Sequence, residues 1–215
     1  MDDALSRIPD GLVLEDPTLN LITRYTTSPF GLAGQHGPTG DIGIFDDAFT
    51  GLSQYPGAAA RGITSFGETL VHEVGHGMDD ENPRWNEYMQ LSGWRKVDPA
   101  LVRNVPNTSA VRGADVGITD DPNGTYIVAK ETGAGAFVYK QGAQFGKSTY
   151  ARSNPYEDFA ETFTEFMLDP DRLRQEAPDK YQFMSTLNAG GSLHPLPFPK
   201  SDFLLATLAS RQLRA

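Results

Sequence analysis

Two short segments near the start of the chain alternate apolar with polar residues, as half-buried β-strands do. The first is Asn20 to Thr26, and the second is Asp41 to Asp46, which places Ile42 and Ile44 on one face. A stretch rich in glycine and proline, Pro29 to Gly40, separates them and is typical of a loop. We expect the second strand to border a cleft at the edge of a sheet, where an extended peptide could pair with it.

Apolar residues at helical spacing dominate the segments that follow. A helix is predicted to begin near Phe66, because Ser65 and Glu68 have the spacing of a capping box. Four further helices are predicted from the same periodicity and from the prolines and glycines at their ends: Asn82 to Gly93, Asn154 to just before Asp169, Pro178 to Leu187, and Ser201 to Leu213. Between them, Thr125 to Ala129 and Ala136 to Tyr139 are typical of a hairpin closed by residues 132–135.

Strands early and helices late indicate an α+β fold. We expect a small mixed or antiparallel sheet, followed by a mainly helical C-terminal part. Hydrophobic residues make up 39% of the chain and charged residues 21%, which is the composition of an ordinary globular protein. A length of 215 residues suits one domain spanning residues 1–215.

The net charge limits the binding partners that we expect, and the absence of cysteine limits the residues that could bind a metal. A formal charge of −10 disfavours binding to nucleic acid or to an anionic membrane. Without cysteine, a transition metal would have to be bound by histidines and carboxylates. The first five residues, MDDAL, are acidic where a secretory signal is basic, and no apolar run approaches the length of a membrane span. We therefore expect a soluble protein.

The segment from His72 to His76 reads HEVGH, a His-Glu-x-x-His motif inside a predicted helix. Residues four apart leave a helix on one face, so His72 and His76 could bind a single ion, with Glu73 beside it. The alternative is that both histidines are polar residues of a surface helix. The apolar residues of the segment occupy the opposite side: Leu70, Val71, Val74 and Met78.

Two histidines leave a hydrolytic zinc site one protein ligand short. A metzincin would supply a histidine six residues after the motif, with a glycine at the third, but Asn82 and Asp79 stand there. Asp79 or Asp80 could reach the ion only if the helix broke, and residues just past a helix end are commonly solvated. His36 and His194 lie in glycine- and proline-rich segments, where an exposed histidine is the usual explanation.

A better candidate lies on the helix predicted after Asn154. Glu157 and Glu161 are four residues apart and share one face, as a metal ligand and a neighbour that orients another ligand would. Glu157 also has the spacing of the third residue after an N-cap at Asn154, which is an alternative role. For Glu161 the alternative is a solvated helix face.

The stretch from Tyr150 to Phe163 (YARSNPYEDFAETF) resembles the second motif of the anthrax lethal factor catalytic domain and the related Pro-Pro endopeptidases. In that family a tyrosine precedes the glutamate ligand by seven residues, and a second glutamate follows four later. Tyr150, Glu157 and Glu161 match this spacing. The segment Trp85 to Trp94 also resembles helices that follow the zinc helix in such proteins.

This resemblance implies a zincin-like fold of the gluzincin type, with one zinc ion per chain and three protein ligands: His72, His76 and Glu157. Glu73 would be the general base, and Tyr150 would donate its hydroxyl to the oxyanion, its alternative being a packed aromatic. Glu161 would orient a ligand histidine through a hydrogen bond. The separation of the two motifs is longer than in compact family members, so residues 100–145 are a possible insertion that reshapes the substrate cleft.

The sequence therefore predicts a zinc-dependent endopeptidase that acts on a protein or peptide substrate as a monomer. Two alternatives remain: a zinc amidase that acts on cell-wall peptides, and a non-catalytic binding module stabilised by zinc. By analogy with the family we expect a toxin or effector that is secreted or translocated without a signal peptide in this chain, a cytoplasmic location being the alternative.

Overall fold

The structure is a computed structural model and describes residues 21–187 apart from 29–30, 38, 80–81, 130–134 and 147–148. Within the described residues it is an α+β protein with two small sheets and seven α-helices. The strands are β1 (Leu21–Tyr25), β2 (Gly34–His36), β3 (Asp41–Phe45), β4 (Trp94–Val97), β5 (Ala110–Arg112), β6 (Thr125–Val128) and β7 (Ala136–Lys140). The helices are α1 (Pro56–Ala59), α2 (Ser65–His76), α3 (Trp85–Leu91), α4 (Pro99–Val102), α5 (Pro155–Leu168), α6 (Pro170–Glu176) and α7 (Pro178–Leu187).

The first sheet is mixed and has the order β1-β3-β2. Strand β3 pairs in parallel with β1 and antiparallel with β2, and Ile42 and Ile44 face the core as predicted. The expectation that β3 is the edge strand at the cleft is wrong, because β3 lies in the middle. The edge strands are β1 and β2, and of these two β2 lines the cleft. Strand β2 falls inside the segment predicted to be a loop, where a run of three residues is too short to show periodicity.

The second sheet is antiparallel and has the order β4-β7-β6-β5. The predicted hairpin is confirmed, since β6 pairs with β7, but most of its connecting residues lie outside the described part of the chain. Strands β4 and β5, which were not predicted, extend it on both sides. This sheet has its own apolar cluster, which includes Val102, Tyr126 and Val138.

The helix boundaries follow the capping residues closely. Helix α2 begins at Ser65 with Thr64 as its N-cap, whose hydroxyl accepts from the amide of Gly67, so the prediction of Ser65 as the cap is off by one residue. Helix α5 begins after Asn154 as predicted. The predicted helix Ser201 to Leu213 lies outside the described residues.

The main core lies between the first sheet and the helices α2, α3, α5 and α7. Its largest buried side chains are Tyr55, Tyr88, Phe159 and Phe163, together with the two isoleucines of β3. None of the described helices is long and apolar enough to cross a membrane.

A buried ion pair fastens the C-terminal helix to α5. The ammonium of Lys180 on α7 lies 2.5 and 2.6 Å from the two carboxylate oxygens of Asp158 on α5. The indole N–H of Trp94 also donates to Asp158, at 3.0 Å. Both charged side chains are almost fully buried, so each depends on the other for its stabilisation.

Lys180→Met is expected to lower the free energy of unfolding by about 3–5 kcal/mol, because it leaves the carboxylate of Asp158 buried without its counter-ion. Urea denaturation at neutral pH measures the change. Lys96→Met, which removes an exposed lysine from β4, is the control. Equal losses in the two variants would contradict this role of the pair.

Candidate metal centre

Helices α2 and α5 approach each other closely at the base of a cleft. A Cβ atom built on Gly75 would lie 2.9 Å from the Cα atom of Ala160, so a larger residue at position 75 would push the helices apart. His72 and His76 lie on either side of this contact in the sequence of α2. Glu157, three residues before Ala160, therefore reaches the same point from α5.

Three side-chain atoms converge there: Nε2 of His72, Nε2 of His76 and Oε2 of Glu157. The two nitrogens are 3.1 Å apart, and each is 3.2 Å from the oxygen. Ligands ~2.0–2.1 Å from a tetrahedral zinc ion lie ~3.3 Å from one another, so the triangle has the size that zinc requires. Within the described ranges, no other group of three histidines or acidic residues brings its ligand atoms this close together.

The other ring nitrogen of each histidine faces a carboxylate. Nδ1 of His72 is 3.3 Å from Oε1 of Glu161, and Nδ1 of His76 is 3.4 Å from Oδ2 of Asp79. A carboxylate accepts hydrogen bonds, so we assign the ring proton to Nδ1 in both histidines. When both imidazoles are neutral, each Nε2 directs a lone pair at Glu157, and three lone pairs in one place favour a bound cation.

Electrostatics at the triangle also favour positive charge. Burial lowers the pKa of His72, but hydrogen bonds to Glu157 and Glu161 outweigh burial and raise it to about 10. His76 behaves in the same way, through Asp79 and Glu157, and its pKa rises to about 9. Burial raises the pKa of Glu157, yet the two histidines lower it to about 2. In the metal-free protein, protonation of the two histidines therefore supplies the positive charge that stabilises the neighbouring carboxylates.

The triangle opens into a cleft of about 770 Å³. Its described walls contain no lysine or arginine, and they include five acidic side chains: Glu68, Glu73, Asp79, Glu157 and Glu161. No described residue between positions 82 and 146 lines the cleft, so the segment 100–145 lies outside its described walls.

Glu73 lies in this cleft beside the triangle and is only 5% exposed. Burial raises the pKa of its carboxyl, and the positive charges of the two histidines limit the rise. The backbone N–H of His36 on β2, which donates to the carboxylate, lowers the pKa further. Strand β2 can pass this close because position 34 is glycine: a Cβ there would lie 2.6 Å from Oε1 of Glu73. His36, predicted to be an exposed loop histidine, is therefore part of a strand that contacts the site through its backbone.

Tyr150 stands at the rim of the cleft on a 3₁₀ turn, Thr149–Arg152. Its hydroxyl donates to Oε1 of Glu157 at 3.0 Å, and 46% of the residue is exposed. Burial and the charge of Glu157 raise the pKa of the phenol well above its usual value, so it keeps its proton at neutral pH. The alternative of a packed aromatic is wrong for this residue.

The structure brings together all six residues that the sequence singled out. Glu157 is the third residue after the Asn154 cap, to whose side chain its amide donates, and its carboxylate also contacts both histidines. Asp79 lies beside His76 and outside the triangle, whereas Asp80 and His194 lie outside the described residues.

Sequence reasoning missed Tyr55, whose hydroxyl donates to Oε2 of Glu161 at 2.7 Å. It considered Asp79 only as a ligand, although its position three residues after His76, just past the end of α2, could have suggested an orienting role. No comparable local signal precedes Tyr55.

No protein-family model matches this chain, and no curated protein or solved structure matches it either. The resemblance to lethal factor therefore stays a prediction that depends on the two helical motifs and on the geometry of their residues.

Glu157→Gln is expected to lower the pKa values of His72 and His76 in the metal-free protein. The neutral amide removes the negative charge that favours both imidazolium forms, while burial continues to oppose them. Titration of the histidine ring resonances by NMR measures the shift. Glu87→Gln, which changes an exposed carboxylate on α3, should leave both pKa values in place. Unchanged titration in the Glu157 variant would contradict the electrostatic account.

Proposed function

We propose that this protein is a zinc-dependent endopeptidase with a zincin-like active site of the gluzincin type. The observation that carries the proposal is the triangle of His72, His76 and Glu157, in which both histidines are held by carboxylates at Nδ1 and direct Nε2 inwards. Two imidazoles and one carboxylate are a ligand set typical of catalytic zinc.

An open coordination position favours catalysis over a structural role. Structural zinc sites are normally closed by four protein ligands, whereas the part of the chain that the structure describes supplies three at this point. The triangle also faces a large cleft. A non-catalytic module stabilised by zinc would have no need of such a cleft or of a buried carboxylate beside the ligands.

A zinc ion held by these ligands would lower the pKa of a water molecule and polarise the scissile carbonyl. Glu73 would take the proton from the attacking water and pass it to the leaving amine. Its burial suits this task, because a carboxyl with a raised pKa is a stronger base than a solvated one. The His36 amide holds the carboxylate in place.

Tyr150 would stabilise the oxyanion that develops on the substrate carbonyl. Its phenol keeps its proton and points into the site, where it now donates to Glu157. Rotation of this exposed side chain would transfer the hydrogen bond to the substrate. An extended peptide would lie along β2, the edge strand of the first sheet that lines the cleft.

The biological setting is proposed from the resemblance alone. A toxin or effector that acts outside the producing cell is the setting that lethal factor suggests, and a zinc amidase acting on cell-wall peptides uses the same ligand chemistry. The residues of the site serve either substrate, so the substrate has to be tested directly.

Purified protein is expected to contain about one zinc ion per chain, and Glu157→Ala should lose most of it, because only two ligands remain. Elemental analysis after dialysis measures the content. Glu87→Ala is the control for loss of an exposed carboxylate and should keep its zinc. Stoichiometric zinc in the Glu157 variant would remove this residue from the ligand set.

Glu73→Gln should keep its zinc and its fold but lower peptide cleavage by ~10²–10⁴-fold, because the amide cannot accept the proton of water. The assay offers the wild type and the variant a denatured-protein mixture and cell-wall peptides side by side. Cleavage of proteins supports the endopeptidase, and cleavage of cell-wall peptides alone supports the amidase. A wild type that cleaves neither, or a variant as active as the wild type, would refute the proposed mechanism.

A further inference from the structure

A chain of three hydrogen-bonding side chains begins at Tyr55 in the core and ends at the triangle of His72, His76 and Glu157. Its side chain is buried in the main core, and its hydroxyl donates to Oε2 of Glu161 at 2.7 Å. The other oxygen of Glu161 lies 3.3 Å from Nδ1 of His72. A buried hydroxyl, a carboxylate and an imidazole therefore follow one another from the core to the site.

The loop that carries Tyr55 is fastened to the helix of the histidines. The Ser53 hydroxyl and the Gln54 amide both donate to Oε2 of Glu68, at 2.6 and 2.7 Å. The amide of Tyr55 in turn donates to the Ser53 hydroxyl, at 3.1 Å. Glu68 lies one turn before His72 on α2, so this loop bridges α2 and, through the Tyr55 hydroxyl, α5.

A glutamate has three side-chain torsions and needs support to hold one orientation in a cleft. Glu161 is 8% exposed, so the loss of a hydrogen bond to one of its oxygens is not freely replaced by water. With Oε2 fixed by a rigid buried phenol, Oε1 is held towards Nδ1 of His72. The orientation of the imidazole then depends on a residue whose hydroxyl bonds to Glu161 and to none of the three atoms of the triangle.

We propose that Tyr55 is a positioning residue, which holds Glu161 against Nδ1 of His72 and so fixes the imidazole for metal binding. The inference rests on the proposed metal site and adds a residue that neither motif contains. Partners that orient metal ligands commonly contribute ~10–100-fold to metal affinity. Tyr55 would contribute through Glu161, with no direct contact to substrate.

Tyr55→Phe removes the hydroxyl and keeps the ring. It is expected to weaken zinc binding by about 10-fold or more, measured by competition with a chromophoric chelator. Tyr126→Phe is a matched control, because Tyr126 is equally buried and its hydroxyl also donates to a carboxylate, Asp121, in the second sheet. The control should bind zinc like the wild type. Urea unfolding of the metal-free proteins checks that both variants fold.

A double-mutant cycle distinguishes an effect of Tyr55 that acts through Glu161 from a general destabilisation of the protein. Glu161→Gln alone should weaken zinc binding, and Tyr55→Phe should have little further effect in that background, because the two residues act in series. The visible spectrum of the cobalt-substituted protein should change in Tyr55→Phe and stay unchanged in Tyr126→Phe.

Zinc affinity in Tyr55→Phe within about two-fold of the wild type would overturn the proposal, as would an equal loss with or without Glu161. These outcomes leave the proposed metal site intact. A wild type that takes up no zinc would overturn both, and the two failures are therefore distinguishable.

Discussion

Two imidazole nitrogens and a carboxylate oxygen, which repel one another when neither a proton nor a metal ion lies between them, are held within 3.2 Å by the packing of two helices. Much of the fold can be understood as support for this arrangement. Helix α2 presents both histidines on one face, and the missing side chain at Gly75 lets α5 come close enough for Glu157 to meet them. Positive charge at the centre, from protons or from a metal ion, removes this repulsion. The helix packing that stabilises the core therefore also favours the binding of a cation at this point.

The helix that supplies the carboxylate is itself fixed from several sides. The pair of Asp158 and Lys180 fastens it to α7, directly after the residue that contacts the histidines. One helical turn after Glu157, the side chain of Glu161 accepts a hydrogen bond from the Tyr55 hydroxyl, which fastens α5 to the loop before α2. Glu157 therefore lies in a segment that is held by both the core and the loop. Such support is what keeps a metal site to a defined geometry.

The sequence predicted those parts of the site whose residues are neighbours on one helix. The spacing of His72 and His76, and that of Glu157 and Glu161, could be recognised because each pair lies within one helix. The pairing of strands could not, since β1, β2 and β3 are arranged by contacts between segments, and β3 was wrongly expected at the edge. Tyr55 is 106 residues from Glu161 in the chain, and nothing in the sequence around either residue marks their hydrogen bond.

The central claim is that the triangle is a metal site with an open position. Anomalous diffraction from crystals of the zinc-loaded protein, measured on both sides of the zinc absorption edge, tests it most directly. The account predicts one strong peak ~2.0–2.2 Å from Nε2 of His72, Nε2 of His76 and an oxygen of Glu157, with no fourth protein ligand. A map without a peak at this point, or with a fourth protein ligand closing the site, would contradict it.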